Sequence, residues 1–237
     1  MKLKFVNGFT LVEMAIVLVI VGILVAAFLT PLSAQIDQRN YAETERNLEE
    51  IKEALVGYGL SHGYFPCPAI SATNGLEDRT GASCTGGKRV GILPWSELGV
   101  PQVDSWGHLY RYSVTLAYAD SATKINLSPL TASDITITTR DNAGNSQNLS
   151  NANSIPVAIM SMGKNGVWGI DSGGVQVTDS SLTNVDEDTN GNGNGKAFKS
   201  RFPTTDTAIT GGEFDDIVVW ISPNVYLNRM VAAGQLP

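Results

Sequence analysis

The sequence predicts an α+β fold: one long N-terminal helix, with a membrane-spanning first half, packed on a small antiparallel β-sheet head. Three observations predict it. Met14 to Leu29 form an unbroken apolar run, Leu48, Ile51, Leu55 and Tyr58 recur at helical spacing beyond it, and period-two strand patterns bounded by Gly and Asn turns fill much of the remaining chain. Helix and strands occupy separate stretches instead of alternating, which is the α+β order.

Residues 1–8 are short and basic, with Lys2 and Lys4, and end in Gly8. From Phe9 to Leu29 a helix is about 31 Å long at about 1.5 Å per residue. That length matches the hydrocarbon layer, so residues 9–30 are expected to span a membrane once. The two lysines place the N-terminus in the cytoplasm and the C-terminal body outside. An ordinary cleaved signal would also begin with a basic stretch and an apolar run, with Pro31, Ser33 and Ala34 as a loose cleavage site. The run is long for a signal, however, and Glu13 sits in its opening turn. A carboxylate there costs roughly 2.5–3.5 kcal/mol, so it needs a partner. A plain uncleaved anchor has no use for Glu13 either.

Pro31 is expected to kink or loosen the helix. Residues 31–60 then continue as an amphipathic stem whose charged residues, such as Arg39, Glu43, Arg46 and Glu50, lie mostly off the apolar stripe. Gly57, Gly59 and Gly63 are expected to end it. The head, 61–237, contains insertions near 67–89 and 179–210. Strands are expected at Tyr110 to Val114, Asp134 to Thr139, Pro156 to Ser161 and Asp216 to Ile221. A last helix begins at an Ser222 N-cap with Pro223 in its first turn and stops at Gly234.

The formal net charge is −7, and loss of residues 1–8 removes Lys2 and Lys4 and leaves −9. Such a surface offers no footprint for phosphate backbones, so nucleic acid is not an expected partner of the main body. Cys67 and Cys84 are the two cysteines. In an exported chain they most often close a disulfide, with two buried thiols as the alternative. His62 and His108 have no zinc-like spacing to other ligands. Lys88 lacks the glycine and Ser/Thr that a phosphate loop requires. No nucleophile elbow occurs, so the expectation is that the chain is not an enzyme.

Gly8-Phe9-Thr10-Leu11-Val12-Glu13 resembles the processing site of type IV prepilins and type II secretion pseudopilins. The resemblance implies a prepilin peptidase that cuts between Gly8 and Phe9 and N-methylates the new Phe9 terminus. It also implies that Glu13 pairs with the terminal amine of a neighbouring subunit during assembly. Asp104-Ser105-Trp106-Gly107-His108-Leu109-Tyr110-Arg111-Tyr112 is similar to a stretch of the major pseudopilin, with Ser105 where proline is common. Ser161-Met162-Gly163-Lys164-Asn165-Gly166 and Asp215-Asp216-Ile217-Val218-Val219-Trp220 resemble two further segments that help form a calcium site in that family. Asn165 replaces the usual aspartate. The insertion Asp186-Glu187-Asp188-Thr189-Asn190-Gly191 matches the first half of a calcium loop, with Asp186, Asp188 and Asn190 as candidate ligands. Its closing Glu is absent because Ala197 stands there, and a flexible acidic Gly/Asn loop is the alternative.

The expected function is therefore a structural subunit of a periplasmic or extracellular pilus-like filament, with a type II secretion pseudopilin as the leading form. A minor type IV pilin acting in priming, adhesion or DNA uptake is the alternative, and a membrane-anchored, Ca²⁺-responsive binding module is a third reading. The implied partners are the prepilin peptidase, copies of itself or other pilins, an inner-membrane assembly platform, and membrane lipid before assembly. The implied location is the bacterial inner membrane, then a periplasmic or cell-surface filament.

Overall fold

The computed structural model describes residues 9–127 and 130–236, with backbone alone for 26–32. The leader, including Gly8, lies outside the described residues. The chain divides into two compact units after Ala42.

Helix α1 runs Leu11–His62 and is continuous across residue 31. In the first unit every residue from Phe9 to Val25 is exposed. A helix that is apolar all round belongs inside an assembly or a bilayer. Among the described residues no helix is long and apolar enough to cross a membrane.

In the second unit the stripe on α1 behaves as its spacing requires: Leu48, Ile51 and Leu55 are fully buried. The helix does not end at Gly57 or Gly59. Gly59 makes room for Tyr226: a Cβ there would lie 2.4 Å from the Tyr226 hydroxyl. Gly63, at φ +81°, supplies the left-handed stop.

A hairpin of β1 (Arg79–Thr80) and β2 (Ser83–Cys84) occupies the first insertion. Then follow β3 (Val90–Ile92), the short α2 (Trp95–Leu98), β4 (Arg111–Val114), β5 (Thr136–Arg140), β6 (Ser146–Asn148) and β7 (Val157–Ser161). The chain ends with α3 (Val185–Gly191), β8 (Ala197–Lys199), β9 (Ile217–Ile221) and α4 (Pro223–Ala232). The main sheet has the order β3-β4-β7-β9 and is antiparallel throughout. A second sheet, β6-β5-β8, departs from the expected antiparallel pattern: β8, from the second insertion, pairs parallel to β5 with Ile137 opposite Phe198. Ile135, Ile137, Met160, Met162, Phe198 and Val218 pack into one core cluster, with Trp168 and Trp220 half-buried against it.

Cys67 and Cys84 form a disulfide with Cα atoms 5.4 Å apart. Arg89 forks onto Asp134, with Nη2 donating to Oδ1 at 2.7 Å, and also donates to the Gly195 carbonyl at 3.2 Å. That one guanidinium thereby joins the end of the disulfide loop, the entry to β5 and the second insertion.

Candidate functional sites

At the N-terminus, Thr10 and Glu13 form a capping box. The Glu13 carboxylate accepts the backbone N–H of Thr10 at 2.8 Å and its hydroxyl at 2.8 Å, both on Oε2. The Thr10 hydroxyl oxygen accepts the N–H of Glu13 at 3.2 Å. Thr10 is thus the N-cap and Glu13 the third helical residue, the positions at which each satisfies the other's orphan donor. The cap fixes the carboxylate at the start of α1. Glu13 itself is exposed. Phe9 is 84% exposed beside it.

In the head, three segments converge: the turn after β7, α3, and the approach to β9. Ligand oxygens of Glu187, Asp215 and Asp216 lie within 4.8 Å of one another. Glu187 is held by the Asp215 N–H at 2.9 Å and by the side-chain amides of Asn165, at 3.0 and 3.1 Å, and Asn184, at 3.2 Å. The Asn165 N–H donates to Asp215 at 2.8 Å. Gly163, at φ +62°, allows this turn to close: a Cβ there would lie 2.2 Å from the Asp215 carboxylate.

Burial, the charge of Glu187 and contact with its carboxylate push Asp215 up to about 7, against the opposing N–H bonds of Asn165 and Lys164. Burial and then Glu187 drive Asp216 well above the carboxylate range, although Asn190 donates to it at 2.8 Å. Oδ1 of Asp215, Oδ1 of Asp216 and Oδ1 of Asn184 are buried without a hydrogen-bond partner. Crowded carboxylates with orphaned oxygens are the donor set that a hard divalent cation satisfies.

The other candidate ligands have different partners. The Asn165 side-chain amide donates to Glu187 while its oxygen accepts the Val167 N–H at 3.0 Å. Asp186 is fully buried and taken by two guanidinium groups: Arg140 donates twice at 2.7 Å, and Arg201 Nε stands 2.9 Å away. Asp188 accepts the Trp168 indole N–H at 2.8 Å. Asn190 brackets the Lys199 backbone, accepting its N–H at 2.7 Å and donating to its carbonyl at 3.0 Å. The segment forms helix α3, so Asp186, Asp188 and Asn190 fan out in place of ringing one ion. Glu187, absent from the candidate ligands read in the sequence, takes the central place. Its signal was faint, because Asp186 and Asp188 already fill the alternating positions of a calcium loop and Glu187 reads as a spacer.

Asp104 organises the Asp-Ser-Trp-Gly turn by accepting the N–H groups of Trp106 and His108, each at 2.9 Å. The Ser105 N–H donates to Thr44 on α1 at 3.3 Å. This contact ties the turn to the part of α1 that belongs to the second unit.

With this geometry established, residues 3–29 match the family model for the prokaryotic N-terminal methylation motif. The chain carries a prepilin-type N-terminus. The matched residues include Phe9, the Thr10–Glu13 cap and the exposed apolar start of α1, and the motif supports a type IV pilin-like or pseudopilin subunit. No curated protein and no solved structure matches the chain.

Proposed function

We propose that the chain is a structural subunit of a pilus-like filament, cut after Gly8, N-methylated at Phe9, and held in the inner membrane by residues 9–30 before assembly. The observation that carries this reading is the methylation motif, with Glu13 fixed by Thr10 at the head of an exposed apolar helix. Cleavage creates a cationic amine at Phe9. A buried cation and a buried anion from different subunits offset each other only in the right register, so the pair sets stagger more than it adds stability. A type II secretion pseudopilus is the leading assignment, supported by the Asp104 turn and the Asp215–Asp216 ending. A minor type IV pilin is the second reading, favoured by the insertion that builds α3 and β8.

Within the same reading, Glu187, Asp215 and Asp216 are proposed to hold Ca²⁺. The ion would supply positive charge to crowded carboxylates and tie α3 to β9. Fractionation of sheared filaments tests the whole: the chain should pellet with filaments only in cells with active prepilin peptidase. Recovery of the chain as a soluble, non-sedimenting protein in such cells would refute it.

A further inference from the structure

The head contains a cavity of about 220 Å³ between the β3–β4 edge and the loop carrying Trp168. Ile92, Leu109, Met162 and Trp168 give it apolar walls, while Lys88 and Arg111 bring two cationic side chains to it. Its size suits one aromatic ring: an apolar cavity of about 150 Å³ is enough for benzene.

Charge distinguishes this cavity from a packing defect. Arg111 Nε is buried without a hydrogen-bond partner. Among the described residues no ion pair closes on its guanidinium. The acid whose field it feels, Asp216, keeps its own donor in Asn190. Lys88 donates to the Ala69 carbonyl at 2.6 Å and stands 3.5 Å from Asp78 while its side chain stays 32% exposed, which marks the solvent side. A partly desolvated guanidinium favours a carboxylate, which it can grip through two parallel N–H bonds.

The wall is specifically shaped. Trp168 adopts φ +63°, a left-handed conformation that a bulky residue rarely takes. Its indole N–H is anchored on Asp188. Gly91 keeps the floor open, since a Cβ there would lie 3.1 Å from Lys88 Cε and 3.2 Å from Pro68 Cβ.

We propose that this cavity binds an apolar carboxylate, with the ring or branched chain against Trp168, Met162 and Ile92 and the carboxylate on Arg111 with help from Lys88. The carboxylate can belong to a small free acid or to the C-terminal residue of a peptide. The full-length chain in detergent is titrated with 3-phenylpropionate and, separately, with N-acetyl-Gly-Gly-Phe, following tryptophan fluorescence. The neutral amide of each probe is measured in the same micelles.

Saturable binding of at least one acid, weakened tenfold or more in its amide, is the expected result. The preferred probe identifies the source of the carboxylate. Arg111→Gln should remove the preference for acid over amide, and Lys88→Gln should weaken it severalfold. Gly91→Val should block binding of both forms. If Arg111→Gln does not fold, the amide comparison and Lys88→Gln decide the matter. Absence of saturable binding by either acid, or amides that bind as tightly as acids, overturns the proposal.

Discussion

Glu187 Oε1 accepts the backbone N–H of Asp215 at 2.9 Å, joining residues 28 apart in sequence. This bond draws α3 onto the strand entry at Asp216 and sets one carboxylate beside two others. The crowding has a measurable consequence. The full chain in detergent should melt at a higher temperature in millimolar Ca²⁺ than in chelator, by about 2.7 kcal/mol of stability where free Ca²⁺ is a hundredfold above Kd. Asp216→Asn should abolish that shift. In chelator the same variant should equal or exceed the parent, because an amide avoids the ionisation that burial and Glu187 disfavour at this position. Identical melting in Ca²⁺ and chelator, with no heat of binding by calorimetry, contradicts the site.

The pH dependence of the same cluster has a definite sign. A carboxyl group raised in the folded state favours folding while it is protonated, and that contribution is lost as pH rises through its folded value. With chelator present, stability should therefore fall between about pH 4 and about pH 7, the folded value of Asp215. Ca²⁺ should flatten this limb. Urea midpoints measured across the range, with and without the ion, check it.

Asp134 provides the opposite limb. Burial opposes its ionisation, but the Arg89 fork, the Thr115 hydroxyl and Lys196 outweigh burial and lower it to about 2. Its contribution is present above the unfolded value near 4 and disappears as pH falls towards 2. Asp134→Asn should cost about 1 kcal/mol at pH 7, since the group is partly exposed. The variant should also lose less stability on acidification than the parent, as read by urea unfolding at pH 3 and pH 7.

Cys67 and Cys84 lie 17 positions apart in the sequence and close the loop between them. The chain-entropy model assigns such a loop about 3 kcal/mol. Replacing both cysteines by serine should lower the denaturant midpoint by a corresponding amount without altering membrane insertion. A midpoint within error of the parent, in protein shown to be oxidised, contradicts this.

Glu13→Leu removes a charge from the apolar segment, so insertion should proceed normally. The variant should nevertheless fail to enter filaments, because the amine of a neighbouring Phe9 loses its partner. Thr10→Val breaks the cap and should reduce incorporation less, since the carboxylate remains. Normal incorporation of Glu13→Leu, measured by sedimentation of sheared filaments, refutes the pairing role.

Elements governed by local pattern were legible in the sequence. The Leu48–Ile51–Leu55 stripe, β4, β7, β9 and α4 follow from periodicity and turn residues, and the structure brings Asp215, one of the residues singled out in the sequence, to the turn at Asn165. Elements created by distant partners were not legible. Helix α3 is short, acidic and rich in Asn and Gly, and reads as loop. It forms where Arg140 and Arg201, from elsewhere in the sequence, neutralise Asp186 in the interior. The parallel pairing of β5 with β8 is likewise a contact across about sixty residues, with no local turn to announce it. Of the three glycines named as the end of the helix, Gly63 is the one that stops it, at φ +81°, while Gly59 meets Tyr226 in a contact that helix spacing alone does not encode.

The central claim is tested most directly by the mass of the N-terminal peptide of chain recovered from filaments. The account predicts a terminus at Phe9 that carries one methyl group, and full-length precursor retained in the membrane for Gly8→Val. An intact Met1 terminus, or an unmethylated terminus downstream of the apolar run, in filament-incorporated protein would contradict it.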